Sequence, residues 1–329
     1  MLESAEKLLE VNHLKKYFNV SKGKLHAVDD LSFHILKGET LGLVGESGCG
    51  KSTTGRTLIR LITADSGEIL FHGENVLDFG KQKLNDFRSK IQMVFQDPYS
   101  SLDPRKNLLE IISEPLTNLV EFRNKSKKEE RVRELMDVVG LSQRLINSYP
   151  HELDGGRRQR VGVARALSVR PEFIVLDEPV SALDVCIQAQ VINLLKRLQK
   201  DMGLSYLFIS HDLSVVKHIS DRIAVMYLGK IVELSASDSI FIDPLHPYTQ
   251  ALLSAIPIPS IDIQRDELIL KGDVPSPVNP SAGCRFAGRC IYVQDICRQS
   301  TPELNQHIKN HFVACHFAGK LQQTVFDQE

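Results

Sequence analysis

The spacing of apolar positions changes character three times along the chain. Up to about residue 95, short runs rich in β-formers ("AVDDLSFHI", "TLGLVG", "GEILFHG") alternate with turn residues, and a helical pattern follows Lys51. This predicts a sheet with an embedded strand–helix unit. From about Pro98 to Ala166 the spacing is helical, with charged "RNKSKKEERVRELMDVVG" in its middle, which predicts a helical insert. Strand signals return at "FIVLDE", "SYLFISHD" and "RIAVMYLGKIVEL", and "QAQVINLLKRLQKDMG" between the first two carries apolar residues at helical spacing. Beyond "HPYTQALLSAIP" come a Pro-rich linker, "VPSPVNPSAG", and a short tail with no repeat of any earlier segment. The pattern predicts one module over residues 1–260, with its insert at about 97–166, and a separate tail over 261–329.

Composition narrows the classes without choosing among them. A chain of 329 residues with 42% hydrophobic and 25% charged residues is ordinary globular material. Forty Lys and Arg against 41 Asp and Glu give no global basic field, so nucleic acid is not expected as a partner. The start, "MLESAEKLLEVNHLKKYF", lacks an apolar signal core, and no apolar run approaches the roughly 20 residues that a membrane-spanning helix needs. A cytoplasmic chain is expected. Of six cysteines, Cys284, Cys290, Cys297 and Cys315 cluster near the end. In a reducing compartment that points to a metal more than to disulfides.

The sharpest motif is "GESGCGKST": Gly45, Glu46, Ser47, Gly48, Cys49, Gly50, Lys51, Ser52 and Thr53. It fits G-x-x-x-x-G-K-S/T and follows the strand-like "TLGLV". Its glycines let backbone amides turn toward phosphate oxygens, the positive end of the following helix faces them, and Lys51 brings a point charge to the β and γ phosphates. Ser52 is expected to ligate Mg²⁺. A second element agrees: "FIVLDEP" is an apolar run closing on two carboxylates, so Asp177 serves the metal and Glu178 polarises a water for in-line attack.

Together these residues resemble the ATP-binding subunit of an ABC transporter, over most of the chain. The resemblance implies an α/β fold: a P-loop NTPase core of the ABC ATPase type with an antiparallel β subdomain, a helical insert and a small C-terminal cysteine-bearing domain. It also implies roles. Tyr17 in "LKKYF" looks like the aromatic that stacks on adenine. Gln96 in "VFQDP" looks like the glutamine that senses Mg²⁺ and the γ-phosphate, making Ser52, Gln96 and Asp177 the Mg²⁺ set. "LDGGRRQR" holds the signature position, with Asp154, Gly155 and Gly156 facing the partner's ATP. "SALD", Ser181 to Asp184, is the loop crossing to that partner, and His211 in "FISHD" is the switch histidine beside Glu178 and Gln96 in catalysis.

The subfamily is also legible. "KIQMVFQDPYSSLDPR", "PVSALDVCIQAQ", "HPYTQALLSAIP" and "GCRFAGRC" look like oligopeptide and dipeptide importers, and more like the second of that system's two ATPase subunits than the first. The implied partners are a second ATPase subunit in a heterodimer, two membrane permeases and, indirectly, an extracellular binding protein. The implied place is the cytoplasmic face of the membrane. Import of another solute such as nickel chelates, a non-transport ABC ATPase and a nucleotide-binding scaffold without turnover are the competing readings.

Asp154 departs from the family pattern, which has serine there as a donor to the opposing γ-phosphate. An ionised carboxylate cannot donate, and two like charges about 4 Å apart repel by about 4 kcal/mol at an effective dielectric of 20, an upper-end figure. Aspartate is nevertheless as good a helix N-cap as serine. Arg157, where the family has glutamine, stands at i+3 and is placed to neutralise it. Both readings stay open: a compromised signature, or a cap tolerated in its place.

The cysteines of the tail are separated by five, six and seventeen residues, too far apart for a C-x₂₋₄-C zinc knuckle but compatible with four thiolates around an iron–sulfur cluster. The family resemblance adds that some members hold a [4Fe-4S] cluster in such a tail. Zn²⁺ is the alternative, with His311 or His316 as a substitute ligand, and unligated buried cysteines are the third possibility.

Overall fold

The computed structural model describes residues 6–256, 272 and 274–320. The described residues divide into two compact units, one formed by residues 6–7, 35–39 and 78–209, the other by 8–34, 40–77, 210–256, 272 and 274–320.

In the first unit, Ile91–Val94, Phe173–Asp177 and Ser205–Ser210 form parallel strands with Phe173–Asp177 in the centre. Every residue of "FIVLD" is buried, as expected of a strand covered on both faces. The predicted insert is helical. Leu108–Ser113 and Lys125–Val138 pack on one another and on Gly155–Leu167, burying Leu108, Ile111, Ile112, Val132, Leu135 and Met136. Asn107 opens the first of these helices with a reciprocal cap, accepting from Glu110 N while Glu110 accepts from Asn107 N. The helix Lys81–Lys90 breaks the expected run of strands before residue 95.

The second unit holds two sheets. One is antiparallel, in the order Gly23–Leu36, Lys7–Val20, Ser66–Phe71, Glu74–Asn75. The other contains, in order, Asn305–Ile308, His311–Val313, Lys230–Ala236, Arg222–Tyr227 and Thr40–Val44. Thr40–Val44 pairs parallel with Arg222–Tyr227, and the remaining pairs are antiparallel. "RIAVMYLGKIVEL" is therefore a hairpin turning at Gly229, whose φ of 82° suits glycine.

The tail has little core of its own and shares that of this unit. His311–Val313 adds a strand beside Lys230–Ala236, and Phe286 packs its ring against Tyr227, Tyr248 and His246. The expected boundary near residue 260 lies outside the described residues.

Candidate functional site

In the second unit, the fully buried strand Thr40–Val44 delivers the chain into the glycine-rich loop, and the helix Lys51–Leu58 leaves it. Two glycines are obligatory. Gly45 has φ 153° and Gly50 φ 107°, and a Cβ would stand 2.1 Å from Met226 O at the first and 1.9 Å from Ala27 O at the second. Gly50 also forms the left-handed N-cap of the helix, so the loop's amides and the helix's positive end lie together. Lys51 is buried, its Nζ donating to the carbonyl oxygens of Gly45 at 2.7 Å and Glu46 at 3.0 Å. Ser52 and Thr53 occupy the first turn.

Tyr17 reaches this loop through a short chain of hydrogen bonds. Its hydroxyl donates to Asp29 Oδ1 at 2.5 Å. Asp29 N donates to Gly229 O at 2.8 Å, and Gly229 N donates to Cys49 O at 2.8 Å. His26 stacks on one face of the Tyr17 ring at 4.1 Å. Burial and the bond to Asp29 push the phenol's pKa up. At Asp29 burial also pushes the pKa up, but the bond from Tyr17 and the charge of Arg285 outweigh it and hold the carboxyl below its usual range. His211 lies exposed just after Ser205–Ser210, before the helix Leu213–Ile219.

The first unit carries the carboxylates. Phe173–Asp177 ends on Asp177, which is fully buried. At Glu178 the backbone turns to φ 47°, a left-handed conformation rare for a non-glycine residue and concentrated at functional sites. Its amide donates to Ile209 O at 3.0 Å, and its side chain accepts from Gln96 Nε2 at 2.8 Å. Gln96 and Glu178, 82 positions apart, thus meet. Hard oxygen donors from Gln96 and Asp177 suit Mg²⁺.

Asp154 is the N-cap of Gly155–Leu167. Its Oδ1 accepts from Arg157 N at 2.8 Å, and Oδ2 faces Arg157 Nε at 3.3 Å. Capping and neutralisation both occur, on a pair more than half exposed. Gly156 is needed for packing, since a Cβ there would lie 2.6 Å from Ile187 Cγ2. Asp184 caps the helix Val185–Met202 by accepting from Ile187 N, and Val185 beside it is 80% exposed.

All four tail cysteines are free and line one cavity of about 20 Å³ in the second unit, together with His246, Phe286 and Phe317. Burial pushes the Cys290 thiol up to about 11 and raises Cys284 and Cys315 as well. Among the described residues, no group of three or more His, Cys, Asp or Glu side chains is arranged to hold a metal ion. Neither histidine named as a substitute zinc ligand turns to the cavity with a spare Nε2: that of His311 is bonded to Glu233, and that of His316 to Ser300 O.

The residues that sequence reasoning passed over are arginines. Arg289 forks onto both carboxylate oxygens of Glu46 in the phosphate loop, and Arg285 bonds Asp29 and Leu228 O. Each stands next to a cysteine in "GCRFAGRC", and that adjacency was the one signal available.

With this geometry in place, similarity to known proteins decides the family. The ABC transporter model matches residues 28–181, and the model of the oligopeptide/dipeptide transporter C-terminal region matches 232–297. The chain is 52% identical to the oligopeptide transport ATP-binding protein AppF of Bacillus subtilis, over 94% of this chain and 97% of that one. It belongs to the ATP-binding proteins of the ABC transporter family, in the oligopeptide/dipeptide branch. This ABC ATPase is also 48% identical to OppF of Escherichia coli, across 95% of its own length and 97% of that protein's. Among solved structures it resembles the dimeric ATP-binding cassette MJ0796 in a post-hydrolysis state with ADP and phosphate. The TM-score is 0.63 at 27% identity, covering 70% of this chain and 98% of that one. The fold is the P-loop ABC ATPase fold expected from the motifs, and the activity is ATP hydrolysis. No described helix of this ABC ATPase is long and apolar enough to cross a membrane.

Proposed function

We propose that this ABC ATPase powers the import of oligopeptides or dipeptides, working at the cytoplasmic face of the membrane under two permeases fed by an extracellular binding protein. The observation that carries the reading is the Gln96–Glu178 hydrogen bond of 2.8 Å beside buried Asp177. It couples a residue at the start of the helical insert, where a permease would dock, to the carboxylate that orients the attacking water. Under this reading Tyr17 stacks on adenine, Gly45–Thr53 cradle the phosphates, and His211 serves as the switch. Mg²⁺ supplies charge neutralisation at the β and γ phosphates when bound, and Ser52, Gln96 and Asp177 are the residues that would hold it. The ATPase module extends to about residue 260 and the tail covers 261–329.

The working unit is a heterodimer with a second ATPase subunit of ordinary signature. Asp154 fulfils the structural part of the missing serine by capping and by its pairing with Arg157, but an aspartate there offers the opposing γ-phosphate no hydroxyl. A homodimer would place that deficiency in both sites; a heterodimer confines it to the site built on the partner's phosphate loop. The test is the whole complex in proteoliposomes with external binding protein. Peptide uptake should depend on ATP and vanish with Lys51→Ala, while Asp154→Ser should raise ATP turnover about two- to fivefold, by supplying one neutral donor. Nickel-chelate uptake in place of peptide would reassign the substrate, and an unchanged rate in Asp154→Ser would leave aspartate as a pure cap.

For the tail we propose a [4Fe-4S] cluster held by Cys284, Cys290, Cys297 and Cys315, with a structural role. Four free thiols around one mostly apolar cavity supply the number and softness of donors such a cluster takes. A single zinc ion is the weaker fit, because its donors must converge at about 2.0–2.3 Å. Anaerobically purified protein should contain about four iron and four sulfide per chain; colourless protein with one zinc per chain would defeat the proposal.

A further inference from the structure

Glu46 is the second residue of the phosphate loop, and three groups hold it. Its carbonyl accepts from Lys51 Nζ at 3.0 Å, its amide donates to Tyr248 Oη at 2.8 Å, and its carboxylate takes Nη1 and Nη2 of Arg289 at 2.7 and 3.1 Å. The last pair is a fork-on-fork contact between groups 243 positions apart, with the Arg289 side chain only 8% exposed. Tyr248 is itself fixed. It is fully buried, its ring lies 5.5 Å from that of Phe286 in the tail, and its amide donates to Nδ1 of His246, whose pKa burial pushes down to about 3.

A carboxylate so close to where phosphate oxygens must sit opposes nucleotide binding unless it is turned aside and neutralised. Arg289 does both. A loop whose amides are already aimed at the ligand also loses less freedom on binding. We infer that Arg289 is a positioning residue of the nucleotide site, through which the cysteine-bearing tail holds the phosphate loop in its binding shape. The inference rests on the reading of Gly45–Thr53 as the nucleotide cradle.

A second contact follows the same plan. Arg285, next to Cys284 as Arg289 is next to Cys290, bonds Leu228 O and the carboxylate of Asp29, which accepts the hydroxyl of Tyr17. One arginine therefore reaches the phosphate end of the site and the other the aromatic end, both from the loop between the first two cysteines of the cavity. A tail that only packed against the core would need neither contact.

The test is ATP affinity of the full-length chain, measured with a fluorescent ATP analogue beside thermal unfolding. Arg289→Gln should raise the Kd about tenfold while shifting the melting temperature little. Arg289→Lys, which keeps the charge without the fork, should recover part of the loss. The double variant Arg289→Gln with Glu46→Gln should bind ATP better than Arg289→Gln alone, because the stranded carboxylate is gone. In the assembled complex the KM for ATP should rise with kcat nearly unchanged. A Kd for Arg289→Gln within twofold of the native value, or a double variant whose loss equals the product of the singles, overturns the inference. Should Arg289→Gln fail to fold, Glu46→Gln decides by itself: a Kd raised more than twofold sustains the inference, and a Kd unchanged or lowered overturns it. Lys51→Ala separates the two levels, since ATP binding that survives it would defeat the cradle reading rather than the role of Arg289.

Discussion

Glu178→Gln should lower ATP turnover by about a thousandfold while leaving ATP affinity within about twofold, because a positioned general base contributes roughly 10²–10⁴ to rate and little to ground-state binding. The substitution is nearly isosteric. The contact to Gln96 Nε2 at 2.8 Å survives on the amide oxygen, and the backbone bond from Glu178 N to Ile209 O does not involve the side chain. What disappears is the carboxylate's capacity to draw a proton from water. The φ of 47° at this position strengthens the expectation, since the chain accepts a strained backbone there to aim one side chain. Single-turnover hydrolysis in the assembled ATPase pair measures the effect, and trapped ATP-bound dimer should accumulate as turnover stalls. A rate within tenfold of native would move the base to another residue.

The central strands were legible because burial on both faces leaves a continuous apolar run: "TLGLV" is Thr40–Val44 and "FIVLD" is Phe173–Asp177, every residue buried. Motif spacing singled out "GESGCGKST" and "FIVLDEP" for a related reason, as each lies at the end of such a strand. The helix Lys81–Lys90 escaped because "KQKLNDFRSK" offers only Leu84 and Phe87 to its apolar face, and only Phe87 is buried. The strand Asn305–Ile308 escaped because all its residues are exposed, so no alternation marks it. Asp154 was read well at the local level, where capping and the i+3 pairing need only helix geometry. The contacts from the tail to Glu46 and Asp29 had no local signature at all. They join positions more than 240 residues apart, and nothing in the periodicity near Arg285 or Arg289 records what the guanidinium meets.

Glu233→Ala should destabilise the second unit by about 3–5 kcal/mol, the range for removing one partner of a buried charged cluster, and lower its melting temperature by about 6–20 °C. Glu233 is fully buried in Lys230–Ala236. Its Oε1 accepts from Leu245 N at 2.7 Å and from His311 Nε2 at 2.7 Å, and its Oε2 accepts from His246 N at 3.0 Å. Alanine strands two backbone donors and an imidazole in the interior, each costing about 1–3 kcal/mol when left unmade, and opens a space for water that offsets part of the loss. Glu233→Gln should cost about half as much, because one amide oxygen still accepts while the amide NH₂ confronts a donor. The damage should start in the tail. His311 belongs to the strand that pairs with Lys230–Ala236, and Val313 lies opposite Glu233, so that strand loses its polar anchor first. Limited proteolysis and hydrogen exchange should find residues 305–313 opening before the rest of the unit. Because Arg289 lies in the same tail, ATP affinity should weaken in parallel with this opening; a melting temperature unchanged in Glu233→Ala would mean that water replaces the carboxylate at no cost.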